Sequence, residues 1–418
     1  MFFDILLYNS SSDSNKSLNQ LTIEVLSEHG VKISKQGIDK RFGENSVLFV
    51  KTVFERYLKS QILQSGIEDG WFGHFNRVRI KDSTKFDVPK EFVDMLPGSG
   101  GSASIAGVSI QYEYDVKSGS ILDMTITPAN RPDSTDAKVT LVDIKKNELY
   151  IRDLGYFILA NLTKIKNASA YFINRLNTNT NVYEEKDNKF KELDFEALYK
   201  KMKSAGISRM EKTVFIGLKE KLPVRLIIEI MPDEVYEKRI RKINKINKSK
   251  GCETSNEYKD RARFNLFITN ISSDILPAQA ISPLYKIRWQ IELVFKVWKS
   301  TFGINRTRKM KYNRWLCLLY AKLILVVINW NLIMVHRTMF YKAHGKLLSF
   351  DKCFKTLRDK INKFRGLLKK SEDAMGEMMN LITELFSIGH WLEKKKNNIG
   401  FEKIMYSFYC KSGIYVYI

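Results

Sequence analysis

The sequence predicts a mixed α/β protein whose sheet begins with antiparallel strands and whose strand-rich part is flanked by helices. Three observations carry this expectation. The hydrophobic period changes to two at Val78, the pattern of half-buried strands. Three strands are then followed by helix, strand, helix and strand, the order of a mixed sheet with an antiparallel start. Residues 1–65 and the chain beyond about Pro277 read instead as helices.

Within the first segment, Leu21–Phe42 (LTIEVLSEHGVKISKQGIDKRF) gives an amphipathic helix, a turn at Gly30, and Ser34 as N-cap of a second, basic helix. This is helix-turn-helix spacing, and it marks Lys35, Lys40 and Arg41 as candidate DNA contacts. Two short packed helices joined by a glycine give the same pattern. Strands are expected at VRIKDS from Val78, at Ser102–Val116 and at Ile121–Ala129, with Lys117-Ser118-Gly119 as turn residues. A helix over Asp136–Lys146, a strand over Glu148–Phe157, a helix over Ile158–Ile165 and a strand over Ala168–Leu176 follow.

Residues 178–275 interrupt that order with three strands (KTVFIGL, PVRLIIEIM and FNLFITNI) and a charged helix near Asp194–Ser204. They also hold KRIRKINKINKSK (Lys238–Lys250), a basic run without an acid, in which Lys238, Arg239, Arg241 and Lys242 are candidate DNA contacts. A run of this kind is either a solvated helix or a phosphate-tracking surface. Leu316–Val335 is long enough to span a bilayer, but contains Lys322, Asn329 and Asn331. The lysine alone costs roughly 2.5–3.5 kcal/mol at a membrane helix centre, so a buried helix is expected and no membrane contact.

Charge narrows the partners. The 418 residues include 69 Lys plus Arg against 46 Asp plus Glu, a formal charge of +23, and 44% are hydrophobic. That composition is globular, and the excess points to a polyanion, with nucleic acid ahead of an acidic membrane surface. The four cysteines, Cys252, Cys317, Cys353 and Cys410, have neither disulfide-framework nor zinc spacing, which fits a reducing compartment. The apolar start MFFDILLYN has no basic n-region, so no export signal is expected. Gly98–Gly107 is glycine-rich but lacks the Lys-Ser/Thr pair of a phosphate loop, and the five histidines share no ligand spacing.

The chemistry-bearing residues are acids among cations. Along Tyr285–Lys299, read as one helix at about 100° per residue, Tyr285, Arg288, Glu292 and Lys299 share one arc of about 60°. Ile287, Ile291, Val294 and Trp298 fall opposite, on a core face. In that stripe Glu292 is either a counter-ion to the cations or a metal ligand in a phosphate-binding groove. Asp82 continues the inward row of Val78 and Ile80, and Asp153 that of Leu149 and Ile151, each at the end of its strand. Singly each reads as a turn or capping residue. Together with Glu292 they form the hard oxygen set that holds two Mg²⁺ ions about 3.5–4 Å apart for in-line attack at phosphorus.

Four sequence features together resemble DDE transposases of the bacterial insertion-sequence-four family. They are KDST around Asp82, IRDLGYF around Asp153, FITNI at Phe267–Ile271, and the Tyr-x2-Arg-x3-Glu-x6-Lys signature of Tyr285, Arg288, Glu292 and Lys299. The similarity covers roughly residues 17–340. It implies a ribonuclease-H-like mixed-sheet core (71–177 and 276–310) with Asp82, Asp153 and Glu292 as catalytic acids and metal ligands. A mostly β insertion domain (178–275), a helical, helix-turn-helix-like DNA-binding segment (1–70) and a C-terminal helical region (311–418) complete the expected plan.

The resemblance further implies two Mg²⁺ ions, with Mn²⁺ as a substitute, and a homodimer acting on double-stranded DNA, at terminal inverted repeats and a target. Water cuts the strand at the element's end, and the freed 3′-OH joins target DNA; in relatives that oxygen first forms a hairpin. Tyr285, Arg288 and Lys299 match residues that grip phosphates near a flipped base, beside which Trp289 can stack. A cytoplasmic, nucleoid-associated prokaryotic protein is expected, and relatives often carry further residues before the helix-turn-helix-like segment. The alternatives are a nuclease of the same fold that never joins ends, and an inactive relic that only binds DNA.

Overall fold

The computed structural model describes residues 1–10, 16–61, 70–101, 103–368 and 374–392. The FYCKSGIYVYI terminus and Cys410 lie outside them. Four helices come first: α1 (Phe2–Ser10), α2 (Leu18–His29), α3 (Lys35–Lys40) and α4 (Glu44–Lys59). Ser17 caps α2 in a capping box with Gln20, and Gly30 ends it in the left-handed conformation, donating its N–H to the Leu26 carbonyl. Ser34 caps α3 by accepting from the Gly37 N–H, as the sequence predicts, although α3 has only six residues.

Strand β1 (Arg77–Asp87) runs past the expected end, so Asp82 lies within the strand. It is followed by β2 (Gly107–Asp115), β3 (Ile121–Pro128) and α5 (Asp133–Thr140). Helix α5 starts earlier and is shorter than expected: Pro132 opens it, and the chain from Leu141 to β4 is irregular. Strand β4 (Glu148–Arg152) stops five residues before Phe157, because Asp153 opens a short 3-10 turn over Leu154–Tyr156. Helix α6 (Leu159–Asn167) and β5 (Tyr171–Arg175) continue the expected order.

The next block contains β6 (Val182–Lys186), β7 (Lys189–Glu192), α7 (Phe195–Ser204), β8 (Arg209–Ile216) and β9 (Leu222–Ile230), then α8 (Asp233–Ser249), α9 (Asn256–Ala262) and β10 (Phe264–Thr269). The β6–β7 hairpin was not expected. Its turn is Asp187-Asn188, both at positive φ, the conformation a two-residue type I′ hairpin needs. Helices α10 (Ala278–Lys286), α11 (Trp289–Thr301), α12 (Tyr312–His344), α13 (Phe350–Asp359), α14 (Ile361–Leu368) and α15 (Ala374–Ser387) follow.

The chain forms two compact units. Described residues 1–61, 82–131 and 289–392 make the first, and 70–81 with 132–288 the second, so the division falls inside β1 and after Arg131 and Arg288. In the first unit the strand order is β3-β2-β1, with β2 and β3 antiparallel. Its core joins Tyr112 to Trp298 (ring centroids 4.9 Å apart) and Tyr114 to Trp330 (5.4 Å). At the β2–β3 turn Gly119 has φ +73°, a left-handed conformation that glycine adopts without the strain a side chain would bring.

In the second unit the order is β1-β4-β5-β10-β9-β8-β6-β7. Strands β1, β4 and β5 are parallel neighbours, and β10 joins antiparallel to β5, so the strands of the 178–275 block extend the core sheet directly. Tyr150, Phe172, Leu226, Ile228 and Phe264 lie in its core. Helix α12 is long and apolar enough to cross a membrane, but most of its apolar stretch is buried inside the fold. Lys322, 3% exposed, donates to the Gly303 carbonyl at 2.9 Å.

Candidate active site

The parallel ladder between β1 and β4 runs from Arg77 opposite Glu148 to Lys81 opposite Arg152. The next residue in the chain after each of these two is one of the expected acids, Asp82 and Asp153. Val78 and Ile80 are fully buried, and Asp82 is half-buried with Oδ1 accepting the Ser83 N–H at 2.8 Å. Asp153 leaves the sheet in an extended conformation at the N-terminus of the 3-10 turn without a side-chain cap bond. Its carboxylate, 40% exposed, faces the Arg288 guanidinium, Nε to Oδ1 3.4 Å. The second aspartate motif and the arginine of the Tyr-Arg-Glu-Lys signature thus meet.

The single helical stripe expected over Tyr285–Lys299 is not observed. Pro283 lies inside α10, and the chain turns at Ile287 and Arg288 through tight bonds from Ile287 N to Leu284 O (3.1 Å) and Arg288 N to Tyr285 O (3.2 Å). Tyr285 therefore lies in the last turn of α10 and Arg288 in the turn after it, whereas Glu292 and Lys299 are on α11. Tyr285 is buried against Phe267, centroids 5.4 Å apart, and not displayed on a surface. Burial pushes its phenol up to about 12, with Arg288 acting in the opposite direction. The apolar face is as expected: Ile287, Ile291, Val294 and Trp298 are all fully buried.

Within the first unit Glu292 and Lys299 line an open groove of about 520 Å³ together with Lys296, Asn305 and Arg306. Lys299 donates to the Lys85 carbonyl at 3.1 Å, and partial burial lowers its pKa. Lys296 stands four residues after Glu292 and was findable by the same periodicity; Asn305 and Arg306 sit on the turn after α11, where no periodic signal exists. Trp289 opens α11 and is 57% exposed.

The other expected contacts divide. Lys35, Lys40 and Arg41 are exposed, and Lys40 and Arg41 line a groove with Gly43 and Ser46. Lys238, Arg241 and Lys242 are exposed on α8, a helix without a buried residue. Arg239 is not available in the same way: its guanidinium donates to the carbonyls of Ala262 (3.1 Å) and Phe264 (3.0 Å) and fastens α8 to α9 and β10.

Asp82, Asp153 and Glu292 offer hard carboxylate oxygens, each on a partly exposed side chain, and in chemistry they suit a divalent cation. Among the described residues, however, no three His, Cys, Asp or Glu side chains are gathered closely enough to hold a metal ion.

Residues 73–328 match the profile of the transposase DDE domain. The transposase for insertion sequence element IS231F of Bacillus thuringiensis subsp. israelensis is 32% identical over 412 residues, which cover 94% of this chain and 85% of that protein. The IS231B transposase of B. thuringiensis subsp. berliner is 30% identical over 409 residues, with 94% and 85% covered. The IS1151 transposase of Clostridium perfringens is 30% identical over 413 residues, with 94% and 86% covered. With a domain match over more than half its length and relatives aligned almost end to end, the chain belongs to the DDE transposase family.

Proposed function

We propose that the chain cuts DNA at the ends of its insertion element and joins the freed 3′-OH to target DNA, with Asp82, Asp153 and Glu292 as the catalytic acids. The observation that carries this reading is the ladder end: two parallel strands deliver Asp82 and Asp153 one residue beyond the pair Lys81 and Arg152. Active sites of open α/β sheets lie at the carboxyl ends of such strands. The reaction is two in-line displacements at phosphorus, by water and then by the 3′ oxygen. Each forms one P–O bond for the one it breaks.

Divalent cations, Mg²⁺ or Mn²⁺ as a substitute, would be held by the three carboxylates and would supply stabilisation of charge on the entering and leaving oxygens. The chain's own side chains do the rest. Arg288 binds phosphate beside Asp153; Lys296, Lys299 and Arg306 bind it in the groove beside Glu292. Tyr285, kept protonated by burial, has a proton to donate, and the exposed Trp289 indole is a surface on which an unpaired base stacks. Lys238, Arg241 and Lys242 on α8, with Lys35, Lys40 and Arg41 near α3, hold the duplex backbone. Two copies on paired terminal repeats, in a bacterial cytoplasm at the nucleoid, complete the reading.

Glu292→Ala should reduce divalent-ion-dependent nicking of an end-containing duplex to background while the Kd for that duplex stays within a few-fold. Nicking that survives the substitution would overturn the three-acid assignment. Joined products with the unaltered protein separate a transposase from a nuclease of the same fold.

A further inference from the structure

We infer that α5 is the positioning element for both aspartates: Asp136 holds Lys81, the residue before Asp82, while Asp133 packs against Gly155 in the turn that Asp153 opens. This rests on the assignment of Asp82 and Asp153 as catalytic acids.

Lys81 Nζ lies 2.8 Å from Asp136 Oδ2 with the two side chains 0% and 2% exposed. The same ammonium donates to Thr140 Oγ1 at 3.0 Å. A buried ion pair is weak evidence for stability, because desolvating two charges offsets most of their attraction; its best-attested use is to fix a register. Here it fixes the last rung of the β1–β4 ladder, since Lys81 is the residue opposite Arg152.

The other end of α5 meets the turn that the second acid opens. A Cβ on Gly155 would stand 3.1 Å from Asp133 Oδ2 and 3.3 Å from Asp133 Cβ, so the 3-10 turn lies against α5 closely enough that a side chain at 155 would push on Asp133. Asn161 Nδ2 donates to the Ala137 carbonyl at 3.0 Å and ties α5 to α6. One eight-residue helix is therefore fastened at one point beside Asp82 and at another beside Asp153.

The test uses the full chain and a duplex carrying the element's end. In Lys81→Met/Asp136→Leu the pair is replaced by apolar side chains of similar size, which keeps the fold. Expected are an unchanged Tm, unchanged KM and Kd for the duplex, and a kcat for nicking lower by about tenfold or more, since a misplacement near 1 Å costs up to about a hundredfold. Mn²⁺ uptake on the DNA complex, followed by the free-ion spin-resonance signal, should weaken in parallel. Gly155→Val, at an exposed position, should act in the same direction without touching the buried pair. Wild-type kcat and Mn²⁺ uptake in either folded variant overturn the inference. Asp82→Asn and Asp153→Asn are assayed alongside. If they still nick, the acid assignment fails and takes the inference with it; if they do not and the α5 variants are normal, the inference alone fails.

Discussion

Helices α12 and α8 show two opposite uses of basic residues. In α12 two cations are interior: Lys322 donates to Gly303, and Arg337 is buried over the Phe350 ring, 4.4 Å from its centroid. In α8 they stand in solvent, and Arg239, bonded to the carbonyls of Ala262 and Phe264, is the exception that anchors the helix. Lys322 and Arg337 are spent in satisfying carbonyls and rings, whereas Lys238, Arg241 and Lys242 on α8 are exposed to solvent. A chain of formal charge +23 therefore does not present that whole excess to DNA, and only the structure separates the two kinds of cation.

The contrast can be broken most forcefully at Trp330. It is fully buried, donates Nε1–H to the Gly119 carbonyl at 2.6 Å and stacks on Phe350 with an interplanar angle of 7°. Trp330→Ala should cost about 3–5 kcal/mol, read as a lowered denaturant midpoint. Arg239→Ala should be smaller, about 1–3 kcal/mol, because two carbonyls lose a charged donor. Its effect on DNA affinity should be slight beside its effect on unfolding.

The remaining effects are on binding. Replacing Lys238, Arg241, Lys242 and Lys245 by Gln should leave stability within about 0.5 kcal/mol. It should reduce the slope of log K against log salt by roughly one for each phosphate that is no longer neutralised. An unchanged salt slope would assign α8 no role in holding DNA. The smallest effect expected is at Lys299, whose pKa is lowered by partial burial. Its positive charge is present below that pKa and lost as pH rises through it, so its share of DNA affinity should fade before that of an ordinary lysine. Lys299→Arg should move that alkaline limb upward, measured by duplex affinity against pH.

Much of this organisation was legible in the sequence. Period two found β2, β3, β9 and β10 because each buries at least one face, and Gly30 with Ser34 marked the α2–α3 turn through capping chemistry alone. The β6–β7 hairpin escaped because β7 is exposed on all four residues and has no buried face to leave a pattern. The spacing of Tyr285, Arg288, Glu292 and Lys299 does not make one helical stripe. A 100° count assumes an unbroken helix, and Pro283 with the turn at Ile287 and Arg288 ends that assumption. Lys81 does not stand out in the sequence among 69 Lys plus Arg; its importance comes from Asp136, which sequence distance hides.

The pairing of β10 with β5 has a consequence for how the protein is made. Phe267 lies opposite Arg175, so β5 keeps an open edge during synthesis until the whole intervening block has left the ribosome. Trp330 likewise reaches back to Gly119. Such distant pairings are slow to form and leave strand edges bare in the nascent chain. A fragment ending before Phe264 lacks the strand that pairs with this edge of β5.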